Sequence, residues 1–157
     1  MSENSFSHLD SDGQARMVDV GEKPDSVRTA RAKVTVSMSK ETLMALQAGD
    51  IPKGDVFAVA RIAGIQAAKR TADLIPLCHP LMLNSVTVEF VVSDGSVDIE
   101  AEVSTIGRTG VEMEALTACS VSALTIYDMC KSFDKGMEIT NLILVAKTGG
   151  STGDFTR

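Results

Sequence analysis

At 157 residues, 44% hydrophobic and 23% charged, the chain has the size and composition of one globular domain with a real core. No apolar run is long enough to span a bilayer, and 15 Lys plus Arg against 21 Asp plus Glu leave a net charge of −6, which disfavours non-specific binding to nucleic acid or an anionic membrane. Five Phe, one Tyr and no Trp also leave few platforms for stacking single-stranded bases, whereas a small anionic substrate in a locally basic pocket remains open.

The opening, Met1-Ser-Glu-Asn-Ser-Phe6, has neither the basic nor the apolar region of a signal peptide, and residues 1–12 are polar, so a flexible N-terminus is expected. Val34–Met38 alternates as a strand; Ser39 caps a helix over Lys40–Ala48 that Gly49 stops. A loop over 50–54 leads to a second helix from about Asp55 to Asp73. That helix is apolar around most of its circumference and is expected to be buried on two sides. Leu74–Leu81 contains two prolines and cannot continue as helix. Alternating runs over 86–92 and 97–103, joined by Ser93-Asp-Gly-Ser96, predict a hairpin. Thr109-Gly-Val-Glu112 reads as a capping box opening a long helix to about Lys131. A last strand is expected over Met137–Lys147, followed by a Gly-rich mobile tail over 148–157, so that 13–147 form a single α+β domain. Helices grouped against an antiparallel sheet give a two-layer arrangement. The three cysteines form no CxxC. Cys119 and Cys130 lie about 16 Å apart along their helix, too far for a disulfide, which fits a reduced, cytoplasmic protein.

Asp128 stands out among the polar residues. It lies near the negative end of its helix, where a carboxylate is disfavoured, between Ile126, Met129 and Cys130, with Lys131 on the same face. Glu112 and Glu114 sit where acids suit a helix start, and Lys131 where cations suit a helix end, so each has an ordinary structural explanation. Lys53-Gly54 precedes a helix and could set a cation and backbone N–H groups beside an anion, although a solvated loop lysine explains it too. His79 lies in a Pro-bracketed loop and reads as a hydrogen-bonding histidine. With two histidines and no ligand spacing, no metal site is expected. Gly107-Arg-Thr-Gly110 and Lys147-Thr-Gly-Gly-Ser-Thr-Gly153 are glycine-rich but do not follow the P-loop order.

Three segments taken together are far more specific: Lys53–Arg70, Asp73–Leu83 with its Leu77-Cys-His-Pro80 core, and Thr109-Gly-Val-Glu-Met-Glu-Ala-Leu-Thr-Ala118 continuing to Leu124-Thr-Ile-Tyr-Asp-Met-Cys-Lys131. They resemble molybdenum cofactor biosynthesis protein C, the cyclic pyranopterin monophosphate synthase family. Met17-Val-Asp-Val20 and Ala146–Phe155 fit as well, so the likeness runs from about Ser7 to Phe155.

The resemblance implies a ferredoxin-like α+β sandwich, with helices on one face of an antiparallel sheet, assembled as a homohexamer (a trimer of dimers). It implies a lyase that converts 3',8-cyclo-7,8-dihydroguanosine 5'-triphosphate to cyclic pyranopterin monophosphate plus diphosphate. The family's catalytic aspartate falls on Asp128 and its essential lysines on Lys53 and Lys131. Its substrate contacts fall on Leu77, Cys78, His79, Met113 and Glu114, with Glu112 beside them, and Lys147 matches a lysine near the phosphates. Position 151 departs from the pattern, carrying Ser where a further basic residue is expected. The proton transfers of such a reaction need no resident cofactor; whether Mg²⁺ accompanies the triphosphate is left open.

Glu114 and Asp128 are 14 residues apart on one predicted helix, about 21 Å along its axis. A small substrate does not reach both within one chain unless it lies extended along the helix. A site combining the helix start of one subunit with the helix end of its partner resolves this. Two rival readings are a non-catalytic nucleotide- or pterin-binding regulatory module and a structural scaffold. Both leave the Asp128–Lys131–Lys53 set without a task.

Overall fold

The computed structural model describes residues 12–151 and 153–157; most of the expected flexible N-terminus, including His8, lies outside the described residues. The elements run β1 (Ser26–Ser37), α1 (Lys40–Ala48), α2 (Val56–Lys69), α3 (Thr71–Leu74), β2 (Leu83–Ser93), β3 (Ser96–Gly107), α4 (Glu112–Cys130), β4 (Glu138–Thr148) and β5 (Phe155–Thr156). The strands form one antiparallel sheet in the order β2-β3-β1-β4-β5. The first four follow the β-α-β-β-α-β connectivity of ferredoxin-like folds. This is the expected α+β two-layer sandwich.

Strand alternation explains the layering. Ala30, Ala32, Val34 and Val36 of β1 and Val97, Ile99, Ala101 and Val103 of β3 are buried on one face, while Arg31, Lys33, Glu100 and Glu102 stand on the other. α4 crosses the apolar face over β1, β3 and β4, and α2 lies against α4 and β2. Small residues bring the two helices close. Ala115, Ala118, Cys119 and Ala123 are fully buried, and the Ser122 hydroxyl donates to the Ala60 carbonyl at 3.0 Å. Gly64 faces this point, where an added Cβ would run into Ser122 Oγ and stand 3.0 Å from the Ala118 carbonyl.

Several expectations hold closely. Ser39 accepts from the Thr42 N–H, and Gly49, at φ 77°, closes α1. The Asp94-Gly95 hairpin joins β2 to β3 in register from Ser93↔Ser96. Four are corrected. β1 begins at Ser26, eight residues before the alternating core that marks it. α2 ends at Lys69, because Arg70 breaks the helix before the short α3. α2 is also buried on one side only within this chain: Val59 and Ile62 are 44% and 63% exposed. Part of the Gly-rich tail is structured, since Phe155–Thr156 pair with Ala146 and Lys147, and the Arg157 N–H reaches the Val145 carbonyl.

Candidate functional site

The two ends of α4 carry two clusters of polar side chains. At the C-terminal end, Lys131 caps the helix and its Nζ lies 2.7 Å from Asp128 Oδ1. Lys53 reaches Oδ2 at 2.9 Å and also donates to the Asp128 carbonyl at 2.9 Å. Its approach follows from the local sequence. Ile51 is buried and accepts the Gly54 N–H, and Asp55 caps α2 through the Ala58 N–H, so the 51–55 turn is fixed with Lys53 pointing to α4. One lysine therefore satisfies both the carboxylate and an orphan carbonyl of the helix end.

The two lysines hold the Asp128 carboxyl down to about 2, the Lys131 hydrogen bond being the largest cause and that of Lys53 the next. The same contact holds the Lys131 ammonium up. These groups are half open to solvent, so the pairs add little to stability. What they fix is position. Lys53, Tyr127, Asp128, Lys131, Ser132 and Lys135 line a cavity of about 410 Å³.

At the N-terminal end, the expected capping box does not form. Val111 is the N-cap, with no side-chain cap bond, and Glu112 is the first helical residue. Its carboxylate turns instead to Lys147 of β4 at 2.9 Å, over Gly110, where a Cβ would collide with it. The ion pair outcompetes the cap because a charged partner stands within reach on the neighbouring strand.

Glu114, one turn in, is 4% exposed. Burial raises its carboxyl to about 7, opposed in part by its own backbone N–H, with the Glu112 charge adding a smaller push upward. The Cys78 thiol is raised by burial and by Glu114. His79 Nε2 donates to the Val18 carbonyl at 2.8 Å. Leu77, Cys78, His79, Glu112, Met113 and Glu114 share a cavity of about 320 Å³.

Beside it lies a polar cavity of about 230 Å³ bordered by Lys23, Arg28, Arg108 and Lys147, with Glu112 the one carboxylate among its described lining residues. Arg28 Nε is held by the Gly107 carbonyl at 2.9 Å, and Arg108 by the Gly21 carbonyl at 3.0 Å. Gly149 and Gly150 (φ 84° and 89°) pass so close to Val27 and Arg28 that a Cβ on either would collide.

The MoaC family model matches residues 17–150. The chain belongs to the MoaC family. It is 60% identical over 154 residues to a protein of Roseiflexus sp. (strain RS-1), covering 97% of this chain and 98% of the relative. It is 51% identical over 152 residues to one of Peptoclostridium acidaminophilum, at 97% coverage of both. A protein of Chloroflexus aurantiacus (strain ATCC 29366 / DSM 635 / J-10-fl) is 56% identical over 156 residues, covering 98% of this chain and 96% of its own. All three relatives are named cyclic pyranopterin monophosphate synthase.

In this MoaC-family chain the residues singled out from the sequence fall into two groups. Lys53, Asp128 and Lys131 meet at one end of α4; Leu77, Cys78, His79, Glu112, Met113 and Glu114 meet at the other, with Lys147 joined to them through Glu112. Sequence reading missed Arg28, Arg108 and Lys23. Arg28 lies in the part of β1 before its alternation begins. Arg108 sits inside the Gly107–Gly110 segment, where the glycines drew the attention. Ser151 also borders the polar cavity, and the cations there come from β1 and the segment before it, the β3–α4 connection and β4 rather than from position 151. Chemically, one end offers an ionised carboxylate between two ammonium groups. The other offers a protonatable carboxyl, an imidazole and a basic recess suited to phosphates.

Proposed function

We propose that the chain is a cyclic pyranopterin monophosphate synthase of molybdenum cofactor biosynthesis, releasing diphosphate from a cyclised dihydroguanosine triphosphate. The observation that carries this is the pairing of near-full-length likeness to proteins of that name with an Asp128 carboxylate bracketed by Lys131 and Lys53. The reaction opens a purine-derived ring, closes a pyran ring and forms a cyclic phosphate, and each step moves protons. Asp128 accepts and returns protons, and Lys131, held against it, donates one. Lys147 and Lys53 neutralise the triphosphate and the departing diphosphate, with Arg28 and Arg108 contributing from the polar recess. His79 and Glu114 orient the purine-derived ring and ribose. No resident cofactor takes part in this scheme.

The active unit in this proposal is a dimer within a homohexamer, in the cytoplasm. The 14-residue spacing of Glu114 and Asp128 on α4 separates the two clusters by about 21 Å, so each site combines one subunit's Asp128 with its partner's Glu114. The exposed Val59, Ile62 and Leu124 on the helix layer fit burial between subunits.

The test supplies the cyclised triphosphate and measures diphosphate and cyclic pterin together. Wild type forms both; Asp128→Asn and Lys131→Ala, folded, form neither. Binding without diphosphate release would instead make the chain a nucleotide- or pterin-binding module. Mixing Asp128→Asn with Glu114→Gln subunits restores a fraction of sites, and no recovery after subunit exchange refutes the shared site.

A further inference from the structure

The turn that follows α4 brings one more lysine to the Asp128 cavity. Lys135 lines the 410 Å³ space together with Lys53, Tyr127, Asp128, Lys131 and Ser132, so its described wall sets three ammonium groups against one carboxylate. Lys131 is engaged with Asp128 Oδ1, and Lys53 with Oδ2 and the Asp128 carbonyl. Lys135 is not one of the groups that hold the Asp128 carboxyl down. Among the described residues its ammonium forms no ion pair. The charge left over in this cavity is therefore that of Lys135, and it suits an anion.

A solvated lysine needs no special backbone, yet the residues on either side of Lys135 are tied down. Asp134 Oδ1 accepts the Gly136 N–H at 2.8 Å, which closes a turn around Lys135. Asp134 Oδ2 accepts the Ser39 N–H at 2.8 Å, at the start of α1, where the helix dipole favours a carboxylate. These bonds, that of Ser39 first, hold the Asp134 carboxyl below the ordinary range. The Asp134 N–H reaches back to the Cys130 carbonyl at 3.2 Å, and the Tyr127 hydroxyl donates to the Lys135 carbonyl at 3.3 Å. Gly136 permits the close approach, since an added Cβ would stand 3.2 Å from Asp134 Oδ1. Asp134 thus pins the stem of Lys135 between the start of α1 and the end of α4.

We propose that Lys135 is a further substrate-binding residue, taking a phosphate oxygen of the triphosphate beside Asp128, and that Asp134 positions it. The idea rests on the substrate reading above. It adds a cation whose charge is not spent on Asp128, next to the group that handles protons. Asp134 is not among the residues that border the cavity, so it acts through Lys135 and not by touching the substrate.

The experiment measures binding of guanosine triphosphate by calorimetry, a probe that carries the triphosphate without undergoing the proposed reaction. Loss of one charge-assisted hydrogen bond makes Lys135→Gln bind roughly tenfold more weakly than wild type, with a smaller difference in 1 M salt. Asp134→Ala loses part of that factor and Asp134→Asn, which keeps one acceptor, loses less. The double variant Asp134→Ala/Lys135→Gln binds no more weakly than Lys135→Gln alone. A general loss of structure would not give that non-additivity. Carbon-13 NMR of the Asp128 carboxyl is the second readout: it still titrates at about 2 in Lys135→Gln, because Lys131 and Lys53 remain. Wild-type affinity in Lys135→Gln, full additivity in the double variant, a raised Asp128 carboxyl in Lys135→Gln, or failure of wild type to bind guanosine triphosphate each overturns the proposal. Absence of turnover of the cyclised triphosphate, with this binding pattern intact, counts against the proposed reaction alone.

Discussion

Replacing Lys131 separates two roles that Asp128 chemistry tends to merge. The Asp128 carboxyl, ordinarily at 3.8, is drawn to about 2 by Lys131 first and Lys53 second. In Lys131→Gln the larger contribution goes, so the Asp128 carboxyl rises through more than half of that interval, to roughly 3 or above. Lys53→Gln moves it less, and the double variant returns it close to 3.8. Because these side chains are half exposed, both shifts shrink in 1 M salt, where screening acts within about 3 Å. The sign for folding follows. A depressed carboxyl contributes stability that is present above 3.8 and lost as pH falls through about 2, so Lys131→Gln weakens this contribution only toward the acid side. At neutral pH even an unshifted carboxyl is protonated in only about one molecule in a thousand. A rate lost at pH 7 in Lys131→Gln therefore reports the ammonium as proton donor or anchor, not the charge state of Asp128. The assay is carbon-13 NMR of the Asp128 carboxyl from acid to neutral pH, with turnover measured alongside. An Asp128 that still titrates near 2 without Lys131, or that responds more strongly to loss of Lys53, refutes the reasoning.

Glu114 makes the opposite contribution to stability. Its carboxyl rises from 4.5 to about 7 on folding, so the folded state holds a proton that the unfolded state has lost. Stability is fully present below 4.5 and falls as pH rises through about 7, by roughly 3 kcal/mol at most. Urea unfolding between mildly acidic and mildly alkaline pH should show this slope in wild type and a flatter one in Glu114→Gln. Gly64→Ala gains about 1 kcal/mol of helix propensity. It loses more to overpacking against Ser122 and to the strained Ser122–Ala60 bond, for a net cost of roughly 1–3 kcal/mol in unfolding free energy, read as a lower urea midpoint. Lys147→Gln weakens binding of inorganic triphosphate roughly tenfold by calorimetry, while Glu112→Gln, which removes the carboxylate competing for Lys147, tightens it.

The sheet and the two long helices were legible because their residues obey strong periodicities. Val97 to Val103 alternates, Asp94-Gly95 turns, and Ser39 and Gly49 punctuate α1. The start of β1 was not legible, since Arg28 to Arg31 carry side chains whose fit depends on β4 and the tail beside them. The capping box failed for a similar reason: Thr109 and Glu112 have the right spacing, but Lys147, 35 positions later, takes the carboxylate. At the site, Asp128 announced itself because its local preference runs against its position. Arg28 and Arg108 gave no such signal. Their place beside Lys147 is created by strand pairing, and an arginine in a strand or a loop is ordinary until its neighbours are known.

α4 behaves as a rigid rod that keeps two distant pieces of chemistry in phase. One residue inserted between Glu114 and Asp128 would advance one cluster by about 1.5 Å and swing it about 100° around the axis relative to the other. Side chains at either end could then be retuned independently, since they share no contacts. The number of residues between them could not. In this protein a helix in the core sets a distance and an angle as well as filling space.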